Sequence, residues 1–485
     1  MSLTFSRRQL LATAAAGSLG GLAPLLSLPA TAKAAAPTML IAGRRTLDVN
    51  GRAATVFGIT QPSGAHGLVT EVGTPFRVAL RNDAGVDTLI HWHGLTPPYR
   101  QDGVPDISAP ALAAGAAAQY DFPLNFAGTF WMHSHQGLQE QSLMSAPLII
   151  RERGGIPDRQ EVVLMLHDFS FRAPQEIYDL LRAAKPAPAM NMQGGMTGMS
   201  MATDQSADKG PAGMAMDLND VVYDAFLAND RTLTDPEVVR VEPGGRVLLR
   251  VINASAASNF LVDLGPVQAK LVAVDGHPVQ EMGGSVFPVA IAQRIDLAFQ
   301  LGVDQSVVPV FAVLEGERRR TGIVLATKNG HVLKLSELAP QATTPLNFAV
   351  EESLRAPVPL AAKPADRVHK VELTGDMARY VWGLNGRTYG DSQPLMVATG
   401  QRVELVMTNR TMMSHPMHLH GHFFQVVAID GRRFAGAVRD TVLVPPMRSV
   451  TIAFDADNPG RWAFHCHNLY HVEAGMMTTI QYETF

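Results

Sequence analysis

A single cysteine, Cys466, in 485 residues leaves no partner for an internal disulfide and too little sulfur for a cysteine-rich zinc site. Basic residues are no more plentiful than acidic ones. Forty Lys and Arg against 44 Asp and Glu give a formal net charge of −4, which offers nothing for binding nucleic acid. Long apolar runs are missing too. The one mild stretch, ending near Leu28, is broken by Gly17, Gly20, Gly21 and Pro24, so no stable membrane anchor is expected. Helix-forming stretches are scarce, with a turn or two expected only near Ala173–Ala184. What is plentiful is punctuation: 42 glycines and 32 prolines predict many turns between short strands, with stability drawn from β cores.

The first residues read as an address. Ser6-Arg7-Arg8-Gln9-Leu10-Leu11, ahead of that weak apolar stretch, is the pattern of a twin-arginine export signal. Ala32 and Ala34 make a small-x-small site, so cleavage is expected after Ala34. The twin-arginine machinery is then a partner and the periplasm the destination. Loss of residues 1–34, with three positive charges and no acid, takes the formal charge from −4 to −7.

The chain repeats itself three times. GTPFRVALRN starts at Gly73, GGRVLLRVIN at Gly244 and GQRVELVMTN at Gly400, with apolar side chains at the third, fifth and seventh positions after the glycine and asparagine at the ninth. Period-two alternation after a turn glycine is a half-buried strand. Linkers read at 151–159 and around 338–345. The expected domains are therefore 37–153, 159–338 and 344–485, each of ordinary domain size.

Histidines are concentrated on this frame. Four patches, His91–His93, His133–His135, His415–His420 and His465–His471, hold ten of the sixteen. Each contains a His-x-His step, which on a strand sends both imidazoles to one side. Two of these steps fall eighteen residues after the repeat glycine: His91-Trp92-His93-Gly94 and His418-Leu419-His420-Gly421. The middle repeat has Val262-Asp263-Leu264-Gly265 there, keeping the glycine and replacing both histidines by aliphatics. The ligands therefore belong to the first and third repeats, and a metal group is expected between them.

Cys466 lies between His465 and His467, with His471 and Met476 following at five-residue steps. One thiolate, two imidazoles and a weak thioether make a blue-copper centre, with His415 available as the second imidazole. Eight imidazoles remain, enough for three coppers with open positions. Zinc would want closure by four ligands, usually with more cysteine.

In this order HWHG, HSH, HPMHLHG and HCHNLYHVEAGM resemble the four copper motifs of the multicopper oxidases, and the resemblance covers the chain after the leader. It implies an all-β chain of three consecutive cupredoxin-like Greek-key barrels, four copper ions and dioxygen as electron acceptor. By matching positions, the type 1 copper takes His415, Cys466, His471 and axial Met476. The type 2 copper takes His91 and His418. The type 3 pair takes His93, His133 and His467 on one copper and His135, His420 and His465 on the other. Electrons would come in at the type 1 site, expected near the surface on connecting segments, and pass through Cys466 to its neighbours. Asp102 matches the acid near the type 2 copper, although Asp102-Gly103 also reads as a turn, like Asp275-Gly276 and Asp430-Gly431. Bacterial members often carry glutamate where Val472 stands here. Glu473, one residue on, is a candidate proton group that a strand would turn to the other face.

From Met190 to Met216 the chain carries seven methionines without strand or helix period, a mobile insertion expected in the second domain. Thioethers favour Cu(I), and exported copper-tolerance oxidases resemble this chain in carrying such an insert. Met412 and Met413 precede His415. In copper-efflux oxidases an aspartate and a methionine stand four and two residues before that histidine, which Met413 matches and Thr411 does not. Three functions follow: a periplasmic cuprous oxidase serving copper tolerance, a laccase-like oxidase of small aromatic reductants, or a copper-sequestering protein without turnover. The enzyme readings come first, because storage does not need a cysteine set between histidines. A monomer is expected.

Overall fold

The computed structural model describes residues 36–155, 158–183 and 218–485. The leader and the methionine-rich stretch at 190–216 lie outside the described residues. Pro37–Phe485 is one compact unit built of six sheets.

Each repeated segment is a strand, Phe76–Asp83, Arg246–Asn253 and Arg402–Asn409, and each does the same job. It lies parallel to the strand that opens its domain and antiparallel to a later one. Its alternating apolar side chains face the core: Phe76, Val78 and Leu80, then Val247, Leu249 and Val251, then Val403, Leu405 and Met407 are all buried. Burying each such side chain contributes about 1.5–3 kcal/mol.

The repeated asparagine closes the strand. Asn82 Nδ2 donates to Val86 O and Leu112 O at 2.8 Å, and its Oδ1 accepts from Ala84 N–H at 3.0 Å. Asn253 and Asn409 repeat this, tying their own loops to Val289 O and Val444 O and accepting from Ser255 N–H and Thr411 N–H. All three are fully buried, so a wholly polar side chain survives there because every valence finds a partner.

The second sheet of each repeat carries the interesting positions. In the first, Ile90–His91 pairs with Gly128–Ser134, placing His91 opposite His133. In the third, His415–Leu419 pairs with Arg461–Cys466, placing His418 opposite His465 and Met417 opposite Cys466. In the middle repeat Val262 and Leu264 are fully buried core.

Among the described residues helix is scarce: Pro174–Arg182, with proline in its first turn, falls inside the anticipated stretch. A five-residue helix at Leu469–Glu473 was not foreseen. Asn468 caps it, its side chain accepting from Tyr470 N–H and His471 N–H. Among the described residues no helix is long and apolar enough to cross a membrane.

Candidate metal centre

The sequence places Cys466 between two histidines, and the strand ending there turns these side chains to opposite sides. On one side Cys466 Sγ lies 3.6 Å from His415 Nδ1 and 3.7 Å from His471 Nδ1, and the two nitrogens are 3.2 Å apart. A first-row ion at the centre of a planar N₂S set, with bonds of roughly 2.0 Å to nitrogen and 2.3 Å to sulfur, needs separations of about 3.5 Å between nitrogens and 3.7 Å from nitrogen to sulfur. The triangle found is that size within a few tenths of an ångström. Met476 is fully buried, and its backbone is tied to both other arms: Cys466 N–H donates to Met476 O at 3.0 Å, and Met476 N–H to His471 O at 2.9 Å.

The sequence reading set this cluster near the surface on connecting segments. The structure differs. His415 opens a strand, His471 sits in the capped helix, and both are fully buried. Trp382 packs on His471 at 4.1 Å between ring centroids and on His415 at 5.3 Å. His471 Nε2 contacts Asp220 Oδ2 at 2.9 Å, and Tyr380 Oη donates to the same oxygen at 2.6 Å. Thr411, where a carboxylate was looked for, gives its hydroxyl proton to Asn409 Oδ1 and so accepts from His415 Nε2 at 2.8 Å. Met413 is buried beside it and Met412 half-buried.

On the other side eight imidazoles gather. His93, His133 and His467 form one trio with ring centroids 5.0–5.6 Å apart. His135, His420 and His465 form a second at 5.1–5.2 Å. His91 and His418 face each other at 5.7 Å.

Hydrogen bonds fix which nitrogen of each ring points inward. His91 Nδ1 donates to Asp102 O at 2.8 Å and His418 Nδ1 to Asp440 O at 2.9 Å. His420 Nδ1 donates to Asp102 Oδ2 at 2.9 Å, His465 Nδ1 to Cys466 O at 2.9 Å, and His133 Nδ1 to Glu140 Oε2 at 2.9 Å. His93 is inverted: its Nε2 meets Asp440 Oδ1 at 3.1 Å, leaving Nδ1 inward. The inward atoms are therefore lone pairs aimed at one another. His93 Nδ1 lies 3.4 Å from His133 Nε2, and His465 Nε2 lies 3.0 Å from His420 Nε2 and 3.4 Å from His135 Nε2. The Nε2 atoms of His91, His418 and His467 are buried with no hydrogen-bond partner. Such an arrangement calls for cations to accept the lone pairs.

Protonation does not relieve it. Burial, with the neighbouring imidazoles adding to it, holds His133, His420, His465 and His467 well below the ordinary histidine range, and brings His135 to about 3. Burial also pushes the Cys466 thiol up, so an ion bound there must displace its proton. The donor set fits copper: imidazoles in neutral form around one thiolate and one buried thioether.

Asp102 is not merely a turn residue. It is fully buried with φ −68°, whereas Asp275 and Asp430 have φ of 48° and 46°. Glu473 ends the short helix, exposed, rather than lying on a strand. Three carboxylates escaped the sequence reading: Asp440, Glu140 and Asp220, each holding the outer nitrogen of an imidazole. A charged pair, Arg439-Asp440, inside the apolar run Val438–Val444 was the one visible signal. Of the other histidines, His422 is satisfied by His420 O and Tyr482 Oη, and His369 by Met396 O.

Profiles described as multicopper oxidase match residues 44–155, 161–329 and 363–484. The chain is 32% identical to the multicopper oxidase MmcO of Mycobacterium tuberculosis, over 85% of this chain and 80% of the relative. It is 24% identical to copper resistance protein A of Pseudomonas syringae pv. tomato, over 97% of this chain and 98% of that one. Among solved structures it resembles Fet3p, a multicopper oxidase that functions in iron import, with a TM-score of 0.74 at 19% identity, covering 92% of this chain and 90% of that one. The laccase from Botrytis aclada gives 0.72 at 20%, covering 92% and 88%. The six sheets are three cupredoxin domains, as in those structures.

Proposed function

We infer the function from the family this chain belongs to: it is a multicopper oxidase, an oxidoreductase that takes dioxygen as electron acceptor. The finer reading is a periplasmic cuprous oxidase of copper tolerance that also accepts small phenols. One observation carries the oxidase chemistry. A single strand end presents Cys466 to the thiol triangle and His465 to the imidazole cluster, so two sites of different chemistry are joined by a few covalent bonds.

In this reading His415, Cys466, His471 and Met476 hold the type 1 copper, and His91 with His418 the type 2. The two trios, His93, His133 and His467, and His135, His420 and His465, hold the type 3 pair. Bound copper would supply one-electron oxidation at the thiolate site and four-electron dioxygen reduction at the cluster. The protein's own groups do the rest. Trp382 and Tyr380 cover the thiol triangle and exclude water. Asp220 sets a buried carboxylate against the outer nitrogen of His471, a negative charge beside this site that would favour a cationic reductant such as Cu(I). Similarity to copper resistance protein A supports the tolerance role.

Protons need a path as well. A cavity of about 630 Å³ runs from exposed Arg182 and Glu473 to His133, His135, His465 and His467, with Glu140 along its wall. Burial lifts the Glu140 carboxyl well above its usual range, and partial desolvation at the cavity mouth raises that of Glu473, so both can carry a proton along the cavity. Asp102 Oδ2 serves the opposite side of the cluster through His420 Nδ1.

Steady-state oxygen uptake by copper-loaded protein, with Cu(I) and separately with a phenol, tests this. Turnover with Cu(I) and intense thiolate-to-copper absorption are expected. Full copper content with no uptake from either reductant would make the chain a sequestering protein instead.

A further inference from the structure

The middle repeat has lost both histidines of its His-x-His step, yet it sends one charged side chain into the metal centre. Arg294 opens the strand Arg294–Gln300 and sits opposite Ile252. At the equivalent register the first repeat carries Ala117, opposite Arg81, and the third carries Ser449, opposite Thr408. A fully buried arginine has replaced a small residue in that repeat alone.

Every donor of its guanidinium is used. Nε donates to Thr129 O at 3.2 Å, Nη1 to Ala292 O at 3.1 Å and Asp440 Oδ1 at 2.8 Å, and Nη2 to Asp275 O at 3.1 Å and Asp440 Oδ2 at 2.5 Å. The two-toothed contact with Asp440 overrides the cost of burial and holds that carboxyl well below the usual range. Asp440 in turn meets His93 Nε2 through its side chain and His418 Nδ1 through its carbonyl, and its neighbour Thr441 Oγ1 lies 3.1–3.2 Å from the same two nitrogens. The two rings stack at 3.8 Å, 14° from parallel.

Glycine in the first histidine motif makes room for this pair. A Cβ on Gly94, which has φ +86°, would lie 2.4 Å from Arg294 Nη2 and 2.8 Å from Asp440 Oδ2. Positive φ already calls for glycine here, as at Gly265 and Gly421, and in the first repeat the space beside it is taken by this pair.

We propose that Arg294 is a positioning residue of the imidazole cluster: by locking Asp440 it orients His93 of the first domain and His418 of the third, and so governs metal affinity there while leaving the thiol triangle alone. This rests on the ligand assignment proposed above. Within the eight-imidazole cluster His93 is the one ring with an assigned tautomer that presents Nδ1 inward, and Asp440 holds its outer nitrogen. Without the guanidinium the carboxylate keeps only Thr441 Oγ1 and the imidazoles themselves to hold it, and the contact that keeps His93 Nδ1 inward is loosened.

The test is Arg294→Lys, which keeps the charge but cannot form the two-toothed contact. Copper-loaded wild type and variant are titrated with a chelator while copper per chain, the thiolate-to-copper absorption and the EPR signal of imidazole-bound copper are followed. The thiolate band and its chelator midpoint should match wild type. The imidazole-bound copper should leave at chelator concentrations about 10- to 100-fold lower. Equal weakening at both sites would make Arg294 a residue of the fold alone, and no change at either would leave it without effect; each result overturns the inference. Should the lysine variant fail to fold, Arg294→Gln, which keeps a donor for Asp440 but not the two-toothed contact, is read the same way. Wild-type protein lacking the imidazole-bound signal would sink the ligand assignment, and the inference with it.

Discussion

Asp102→Asn is the most economical test of the wiring behind the histidines. The change alters one atom, and the backbone conformation, φ −68° and ψ −30°, suits asparagine as well as aspartate. The carboxylate now accepts from His420 Nδ1 at 2.9 Å and lies 3.2 Å from His91 Nδ1 through its other oxygen. An amide keeps one acceptor and brings a donor against the second N–H. The His91 Nδ1 proton already goes to Asp102 O, so what is lost is the charge on the acceptor of the His420 bond, worth up to roughly 1.5–3 kcal/mol. At about 1.4 kcal/mol per factor of ten, dioxygen reduction should slow roughly 10- to 100-fold. The thiol triangle is not touched, so its absorption should stay at wild-type intensity and position. Oxygen uptake at saturating reductant, with the optical spectrum of the same sample, reads both. A rate within about twofold of wild type would be less than 0.5 kcal/mol and would refute the reasoning, returning Asp102 to the status of a turn residue.

Cys466→Ser should abolish the intense thiolate absorption and turnover while leaving the imidazole-bound copper countable by metal analysis; a retained band would contradict the triangle. Asp220→Asn keeps an acceptor for His471 but removes the charge, about 1–2 kcal/mol of attraction for a partly screened cation. It should therefore cut kcat/KM for Cu(I) about tenfold and that for a neutral phenol little. Deleting residues 190–216 should lower cuprous oxidation much more than phenol oxidation, and equal losses would remove the case for a copper-gathering insert. Asn409→Ala strands buried carbonyls of Met413, Val444 and Pro445 and frees Thr411 from its acceptor. It should destabilise by about 2–4 kcal/mol in denaturant melts and shift the thiolate band, because Thr411 holds His415.

The strands could be read from the sequence because alternation is a local property: Val403, Leu405 and Met407 announce a buried face without knowledge of what lies against it. The metal donors could be read for the same reason. Two imidazoles on one side of a strand must be two residues apart, and a thiol facing the opposite way must stand between them, so geometry writes itself into spacing. Groups that orient those donors obey no such rule. Asp440 reaches His93 across 347 positions and Asp220 reaches His471 across 251, and any carboxylate brought there by packing would serve. The covering of the thiol triangle stayed hidden likewise, because Trp382 comes from a separate strand, Val381–Leu384, with no pattern of its own. The short helix that carries His471 escaped because five residues hold less than two turns of periodicity, leaving only its cap, Asn468, to mark it.

The middle repeat shows how the two kinds of information meet. Its Val262 and Leu264 record by pattern that it binds no metal, while Asn253 and Gly265 record that its scaffold is intact. Neither explains why a ligand-free copy stands between two that need each other. Arg294 does. The first and third domains each bring half of the imidazoles, and the interface between them buries an aspartate, Asp440, that neither domain neutralises through a cation of its own at hydrogen-bond distance. The second domain supplies that cation. Burying a lone carboxylate costs several kcal/mol, and breaking such a pair by removing one partner costs about 3–5 kcal/mol. The three copies are therefore bound to one another by charge as well as by chain: two hold the metal ligands, and the third holds them in register.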